Sequence, residues 1–126
     1  MKTLVTRKPK TFSERVLDAA LSIPSGKVTT YGRIARAAGG GPLASQSITN
    51  ILGKAYDNGE RSIPFHRIVY ADGRIWIDDK HRVARMRLYK KEKIEVDERN
   101  RIKDFPSKFF EPKKIALALG PKIPRL

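Results

Sequence analysis

The stretch Ile63–Val69 holds the residues of this chain that are best suited to chemistry. It reads Ile-Pro-Phe-His-Arg-Ile-Val, so a histidine and an arginine interrupt a run that otherwise suits a buried strand. Burying a polar group costs free energy unless it is hydrogen-bonded, so such residues usually form a site or satisfy one specific buried partner. We therefore expect a functional site at His66 and Arg67, served by a helical unit upstream.

The residues that the sequence lacks exclude several kinds of chemistry. The sequence contains no Cys, which excludes disulfides, thiolate zinc sites and a cysteine nucleophile. His66 and His81 are its two histidines, so we expect neither a metal site nor any other cofactor. The sequence also has no Ser-His-Asp spacing and no Gly-rich phosphate loop. An enzyme with a different nucleophile is therefore the least favoured function.

The charge balance indicates an anionic partner. Lys and Arg number 27 against 13 Asp and Glu, which gives a formal net charge of +14. A solubilising basic surface is the plain interpretation, but nucleic acid is the commonest partner of such a positive field. Glu14 and Asp18 are the only acids before Asp57, so the N-terminal half carries the positive field. We expect double-stranded DNA as the partner.

Length and hydropathy favour a single domain inside the cell. The chain has 126 residues, of which 40% are hydrophobic, enough for one modest core. No apolar run approaches the roughly 18 residues needed to cross a bilayer. The N-terminus also lacks the apolar stretch of a signal peptide. We expect a monomeric, nucleoid-associated protein in the cytoplasm, without membrane contact.

Capping residues predict the first two helices. Thr11 and Glu14 form a capping box, which predicts a helix from there to about residue 22. Thr30 suits the N-cap of a second helix, and Gly39 suits the left-handed position that ends it. The apolar positions of the second helix follow the spacing of one helical stripe: Tyr31, Ile34, Ala35 and Ala38.

A third helix with one polar face completes the helical unit. Pro42 suits its first turn. The side chains expected to face inward are Ala44, Ile48, Ile51, Leu52 and Ala55. The opposite side, called the outer face below, consists of Pro42, Ser45, Gln46, Thr49 and Gly53. Two helices joined by a Gly-rich turn predict a helix-turn-helix, although an ordinary helical hairpin is the common alternative.

The remaining elements complete a winged helix-turn-helix, mainly α with a small β-hairpin. Residues 63–70 are predicted to form one strand, residues 71–73 a turn, and residues 74–77 the return strand. A last helix is predicted from His81 to about Lys93. We divide the chain into a basic arm at residues 1–10, the domain at residues 11–95, and a basic tail at residues 96–126. The tail either wraps the domain through Phe105, Phe109 and Phe110 or is partly disordered.

Two motifs resemble a known family. Residues 23–35, Ile-Pro-Ser-Gly-Lys-Val-Thr-Thr-Tyr-Gly-Arg-Ile-Ala, resemble the DNA-binding domain of O6-alkylguanine-DNA alkyltransferases. Residues 63–69 resemble that family's Pro-Cys-His-Arg-Val signature, with Phe65 where the acceptor Cys belongs. Replacement of this Cys is typical of the alkyltransferase-like proteins, which cannot accept an alkyl group. The resemblance spans about residues 11–95 and implies a protein that is not an enzyme.

The resemblance also implies roles for particular residues. Tyr31 falls on the Tyr that promotes flipping of the target nucleotide, and Ser13 falls on a hydroxyl that contacts phosphate. Glu92 falls on the Glu that works with the His; without a nucleophile, we expect His66, Arg67 and Glu92 to be a structural remnant of that relay. The DNA-binding residues implied in full are Ser13, Thr30, Tyr31, Pro42, Ser45, Gln46 and Thr49. The implied lesion pocket, called the candidate pocket below, consists of Tyr31, Phe65, His66, Trp76, Asp78 and Asp79.

The chain departs from the family pattern in three places. Gln46 stands where the family has an Arg finger, and glutamine is shorter and uncharged. The loop that faces the alkylated base, Gly-rich in the family, reads Trp-Ile-Asp-Asp-Lys-His at residues 76–81. Carboxylates in this loop would repel phosphates. The loop at residues 56–62 is longer than its counterpart.

These observations leave two functions open. In the first, the protein binds duplex DNA, flips O6-alkylguanine without repairing it, and marks the lesion for another repair pathway through a repair-protein partner. In the second, it is a general, architectural or regulatory DNA-binding protein that has lost lesion recognition. In that second case Phe65 and Trp76 pack against each other in the core.

Overall fold

The computed structural model describes residues 9–115. Its α-helices are α1 (Phe12–Leu21), α2 (Tyr31–Ala37), α3 (Ile48–Asp57), α4 (Arg82–Lys91) and α5 (Phe105–Lys108). Its strands are β1 (Thr29–Thr30) and β2 (Ile68–Val69), and short 3-10 turns cover Ala44–Ser47 and Phe65–Arg67. The predicted class, mainly helical with a small sheet in a winged-helix arrangement, is confirmed. Most of the predicted basic arm, and the tail beyond residue 115, lie outside the described residues.

The capping residues form the first two helices as predicted. Thr11 Oγ1 accepts a hydrogen bond from the Glu14 N–H at 3.1 Å, and Glu14 Oε1 accepts one from the Thr11 N–H at 2.7 Å. Thr30 Oγ1 accepts from the Arg33 N–H at 3.1 Å at the start of α2. Gly39 then ends α2 with a φ of 85°, which a residue with a side chain rarely adopts. Local side-chain chemistry therefore sets both helices.

The third helix begins later than the sequence pattern predicts. A 3-10 turn over Ala44–Ser47 precedes α3, and Pro42 lies before that turn instead of in the first turn of a helix. Ile48 and Leu52 are fully buried against α1, and Ala44, Ile51 and Ala55 are partly buried beside them. The predicted inward face is therefore confirmed, while the polypeptide enters the helix through a tighter turn.

The predicted β-hairpin is wrong in its pairing. The sheet consists of β1 and β2 in parallel, with Thr29 opposite Ile68 and Thr30 opposite Val69. Gly73 forms the expected tight turn, but the next residues pair with the tail: the Ile75 N–H donates to the Asn100 carbonyl at 2.8 Å. The alternation at residues 74–77 marks a half-buried segment, and nothing in that pattern specifies the residue that lies beside it.

Two hydrophobic clusters lie on either side of the parallel strands. The first joins α1, α2 and α3 around Val16, Ile34 and Leu52. The second contains Val28, Val69, Ile75, Tyr89, Ile94 and Ile102. No helix within residues 9–115 is long and apolar enough to cross a bilayer.

Residues of the tail hold both clusters. The Phe110 N–H donates to the Val28 carbonyl at 2.8 Å, and the Ile115 N–H donates to the Ala37 carbonyl at 2.8 Å. Phe110 also packs against the first cluster, while Phe105 packs against the second. Up to residue 115 the tail wraps the domain, which is one of the two arrangements that its composition predicted.

Candidate nucleic-acid interface

The outer face of the helix-turn-helix is turned to solvent. Pro42, Gln46 and Thr49 are exposed, and Ser45 is half-buried beside them. Ser13 is exposed in the first turn of α1. Thr30 differs, because its side chain is buried and its oxygen already caps α2. The polar side chains of this face are therefore accessible from solvent, apart from Thr30.

A groove of about 510 Å³ runs between α2 and the turn that precedes α3. Three of the predicted DNA-binding residues line it: Thr30, Pro42 and Ser45. Two arginines that the sequence interpretation did not single out, Arg33 and Arg36, also line it. Arg33 and Arg36 are three residues apart on α2, a spacing that places side chains on one helix face. That spacing could have identified them from the sequence.

Tyr31 stands at the start of α2, where the outer face meets the candidate pocket. Its ring lies 5.6 Å from the Tyr70 ring, centroid to centroid. Burial and the neighbouring Tyr70 raise the pKa of the Tyr31 phenol, while Thr49 and the Arg85 charge oppose that rise. The phenol therefore stays protonated and can donate a hydrogen bond.

Phe65 packs on a different partner from the one that the second hypothesis requires. Its ring meets the Tyr56 ring edge-on, with the centroids 6.0 Å apart. The Arg61 guanidinium covers the Tyr56 ring at 4.2 Å from its centroid. The aromatic neighbour of Trp76 within the described residues is instead His81. Phe65 and Trp76 therefore do not form the mutual core packing that was expected after loss of lesion recognition.

The Glu92 network consists of the Glu92 carboxylate and its donors: His66, Arg67 and the Gly26 N–H. Glu92 Oε2 lies 2.7 Å from His66 Nε2 and 2.7 Å from Arg67 Nη2. Glu92 Oε1 accepts from the Gly26 N–H at 2.9 Å. A second Arg67 nitrogen, Nη1, donates to the Ile23 carbonyl at 2.8 Å. The predicted bond between the buried imidazole and the carboxylate is present.

Burial and the contacts within the network set the protonation states of Glu92 and His66. Burial opposes ionisation of Glu92, but hydrogen bonds from Arg67, Gly26 and His66 outweigh it and lower the pKa of Glu92 to about 2. Burial lowers the pKa of His66, and Glu92 only partly offsets it. A neutral imidazole therefore donates to an ionised carboxylate, and the Tyr89 hydroxyl donates to the His66 carbonyl at 2.6 Å. This network anchors the loop between α1 and β1, the turn before β2 and the end of α4 to one another.

The loop at residues 76–81 leaves the Trp76 side chain partly exposed to solvent. Trp76 is 43% exposed. Asp78 is engaged locally, because its Oδ1 accepts from both the His81 N–H and His81 Nδ1 at 2.8 Å. Burial tends to raise the pKa of Asp78, but these His81 contacts hold it below its usual value. Asp79 is exposed beside it. Of the two carboxylates, only Asp79 is left without a bond to His81.

Arg85 is a pocket residue that the sequence interpretation missed. Its guanidinium lies 5.7 Å from the Trp76 ring centroid, a cation–π arrangement. Its charge acts on the pKa of Tyr31, His66 and Asp78 alike, so it lies among them. Arg85 stands four residues before the buried Tyr89, on the same face of α4. That spacing was visible in the sequence.

Comparison with known proteins identifies the family. The model of the 6-O-methylguanine DNA methyltransferase DNA-binding domain matches residues 11–94. The chain belongs to this family. The resemblance read from residues 23–35 and 63–69 is confirmed, and it extends to the alkyltransferase-like members. Because the sequence contains no Cys, this member has no thiolate to accept an alkyl group.

Two curated relatives refine the family assignment. The DNA base-flipping protein of Escherichia coli K12 is 38% identical over 68 residues, which is 54% of this chain and 50% of that protein. The Shigella flexneri protein of the same name matches equally. The chain thus spans about half the length of the curated relatives that it matches.

Solved structures of an alkyltransferase-like protein share the fold. S. pombe Atl1 in complex with damaged DNA containing O6-carboxymethylguanine superposes with a TM-score of 0.64 at 27% identity, covering 80% of this chain and 95% of that one. The S. pombe protein in complex with DNA gives a TM-score of 0.60 at 29% identity, over the same shares of the two chains.

Proposed function

We propose that this protein binds duplex DNA and flips O6-alkylguanine out of the helix without repairing it. The observation that supports the proposal is a family site without an acceptor: Phe65 falls on the acceptor position, while the His66–Glu92 pair next to it in the chain is intact. S. pombe Atl1, which shares the fold, has been solved with DNA that contains O6-carboxymethylguanine. The flipped base would be held, with its alkyl group intact.

Contacts in the candidate pocket can offset the free-energy cost of flipping a base. Unstacking a base costs a few kcal/mol, which a fitted pocket recovers by stacking and hydrogen bonding. Trp76 presents an exposed indole for stacking, and Arg85 covers it with a cation. The Tyr31 phenol, which burial keeps protonated, would donate to the phosphate of the flipped nucleotide. His66, Arg67 and Glu92 act as the structural support of this pocket.

The outer face and its groove supply binding that does not depend on sequence. Ser13, Pro42, Ser45, Gln46 and Thr49 would line the duplex, with the Arg33 and Arg36 charges at the groove. Such phosphate contacts release counterions, so affinity falls with salt by a log–log slope of about −0.9 per phosphate neutralised. The protein acts as a monomer on the nucleoid, and a repair protein recognises the marked lesion.

The test compares O6-methylguanine duplex with its unmodified control across a salt series. We expect a several-fold preference for the lesion, which Tyr31→Ala abolishes, whereas Leu21→Ala, at an exposed position at the end of α1, leaves the preference unchanged. Affinity that did not respond to salt would refute DNA binding by the positive field. Alkyl transfer to any residue would restore the enzyme interpretation.

The second candidate is a general duplex-binding protein. Gln46 favours it, because an uncharged side chain at the position of the family's Arg finger has a weaker tendency to insert into the base stack. Equal affinities for lesion and control duplexes, with the salt dependence intact, would establish this candidate in place of the first.

A further inference from the structure

Leu43 is the most exposed large apolar side chain of residues 9–115, with 72% of its surface open to solvent. A single exposed leucine is ordinary on a protein surface and carries no meaning by itself. Its place is what matters, because it follows Pro42 directly in the chain, and Pro42 and Ser45 line the groove beside α2. It therefore stands on the side of the molecule that the proposed function turns toward DNA.

The 3-10 turn aligns Leu43 with Gln46. The Gln46 N–H donates to the Leu43 carbonyl at 3.2 Å, and residues three apart in a 3-10 turn have eclipsed side chains. Pro42 and Ser45 form the next row, whereas Ala44 packs inward on the core. The 3-10 turn brings these two side chains into register, whereas an α-helix would keep residues three apart on one face but offset from each other.

The base of this turn is rigidly seated. A Cβ atom at Gly40 would lie 2.5 Å from the Ala44 Cβ and 2.9 Å from the Phe12 ring, so the backbone there packs directly against α1. The preceding Pro42 has a fixed φ. A side chain on such a rigid backbone can insert into a ligand without displacement of the loop.

We propose that Leu43 is an apolar wedge that enters the base stack next to the flipped nucleotide, with Gln46 hydrogen-bonding the base left without a partner. This deepens the proposed function and rests on it. Apolar side chains are commonly inserted between base steps, where they leave water as the bases unstack. Gln46 alone can reach a base edge but offers little apolar surface to fill the gap. Side by side, the two residues divide the task.

The experiment uses the full chain and an O6-methylguanine duplex with 2-aminopurine at the neighbouring base step, whose fluorescence rises when it unstacks. Wild-type protein is expected to increase the fluorescence on binding. Leu43→Ala should lose most of that increase and bind the lesion duplex about ten-fold more weakly. Its salt slope should match that of wild type, because no phosphate contact is removed.

Val83→Ala is the matched control, since Val83 is 68% exposed on α4, away from the helix-turn-helix. It should leave fluorescence and affinity unchanged. Leu43→Met should retain most of the signal, because it keeps a long apolar side chain. Melting curves should coincide for all of these variants, which separates a binding defect from a folding defect.

The outcomes separate the two proposals. If wild type prefers the lesion but Leu43→Ala matches it in affinity and fluorescence, the wedge is refuted and flipping stands. A Leu43→Ala defect equal on lesion and control duplexes also refutes it, because Leu43 would then serve general contact. If wild type neither prefers the lesion nor unstacks the probe, both proposals fail.

Discussion

The outer face and the Glu92 network use polar groups in opposite ways. On the outer face, the side chains of Gln46 and Thr49 are exposed to solvent. In the Glu92 network one carboxylate, 6% exposed, accepts from a histidine, an arginine and a backbone N–H within about 3 Å. The polar groups of the first region are open to solvent, whereas those of the second bond to one another inside the molecule.

This difference explains how a site can keep its frame after losing its chemistry. A buried carboxylate is tolerable only when it is paired, so removing either Arg67 or Glu92 leaves the other charge without its partner. The acceptor position has no such obligation: Phe65 there packs on Tyr56 as an ordinary aromatic. We therefore expect the residues that match the family's relay to serve here as a structural element.

The largest expected effect breaks the network. Glu92→Gln leaves Arg67 without its counter-charge and should lower the free energy of unfolding by about 2–4 kcal/mol in urea denaturation. Glu95→Gln is the matched control, because Glu95 is 77% exposed and lies 3.7 Å from Lys103. We expect it to cost about 0.5 kcal/mol or less. Similar losses in both variants would show that the network is no stronger than a surface pair.

The second prediction concerns pH. The folded pKa of Glu92, about 2, lies below its ordinary value of 4.5, so its contribution is complete above the ordinary value and is lost as pH falls toward the folded one. The lowered pKa of His66 acts in the same direction, because the unfolded state gains a proton first. Stability should therefore fall steadily below neutral pH.

Unfolding free energies measured between neutral pH and pH 3 test this. In Glu92→Gln the decline below pH 5 should be clearly shallower than in wild type. Equal slopes would mean that other carboxylates, and not Glu92, carry the acid sensitivity.

The smallest predicted effect concerns the two neighbouring threonines of β1, Thr29 and Thr30. Thr30 Oγ1 caps α2, so Thr30→Val should cost about 1 kcal/mol. Thr29 Oγ1 is buried without a partner in the part of the chain that the structure describes, so Thr29→Val should be neutral or stabilising. Thermal unfolding of the pair measures both, and a Thr29→Val loss as large as that of Thr30→Val would contradict the assignment.

The sequence predicts what depends on neighbours a few residues away. The capping box at Thr11, the Thr30 cap and the Gly39 terminus are confirmed because each is a contact within one helical turn. The pairing of Ile75 with Asn100 was missed, since strand alternation does not specify a distant partner. The pairing of His66 with Glu92 could be expected only through the family resemblance, because 26 residues separate them.

The candidate site divides in the same way. Its helix-borne residues could be placed by spacing, and Arg85 and Arg36 would have been found by the same rule. Leu43 could have been found by it as well, because it stands three residues before Gln46, but its apolar side chain does not fit a face defined mainly by polar residues. The roles assigned to the outer face and the candidate pocket remain predictions for the experiments above.

Phe65 has a consequence for the timing of the proposed function. A protein that accepted an alkyl group would be consumed by each lesion, and its work would be counted in molecules spent. With a phenyl ring at that position every encounter ends in dissociation, so one molecule can visit many lesions in turn. The quantity that selection can adjust is then the residence time, and a partner has only that interval in which to find the complex.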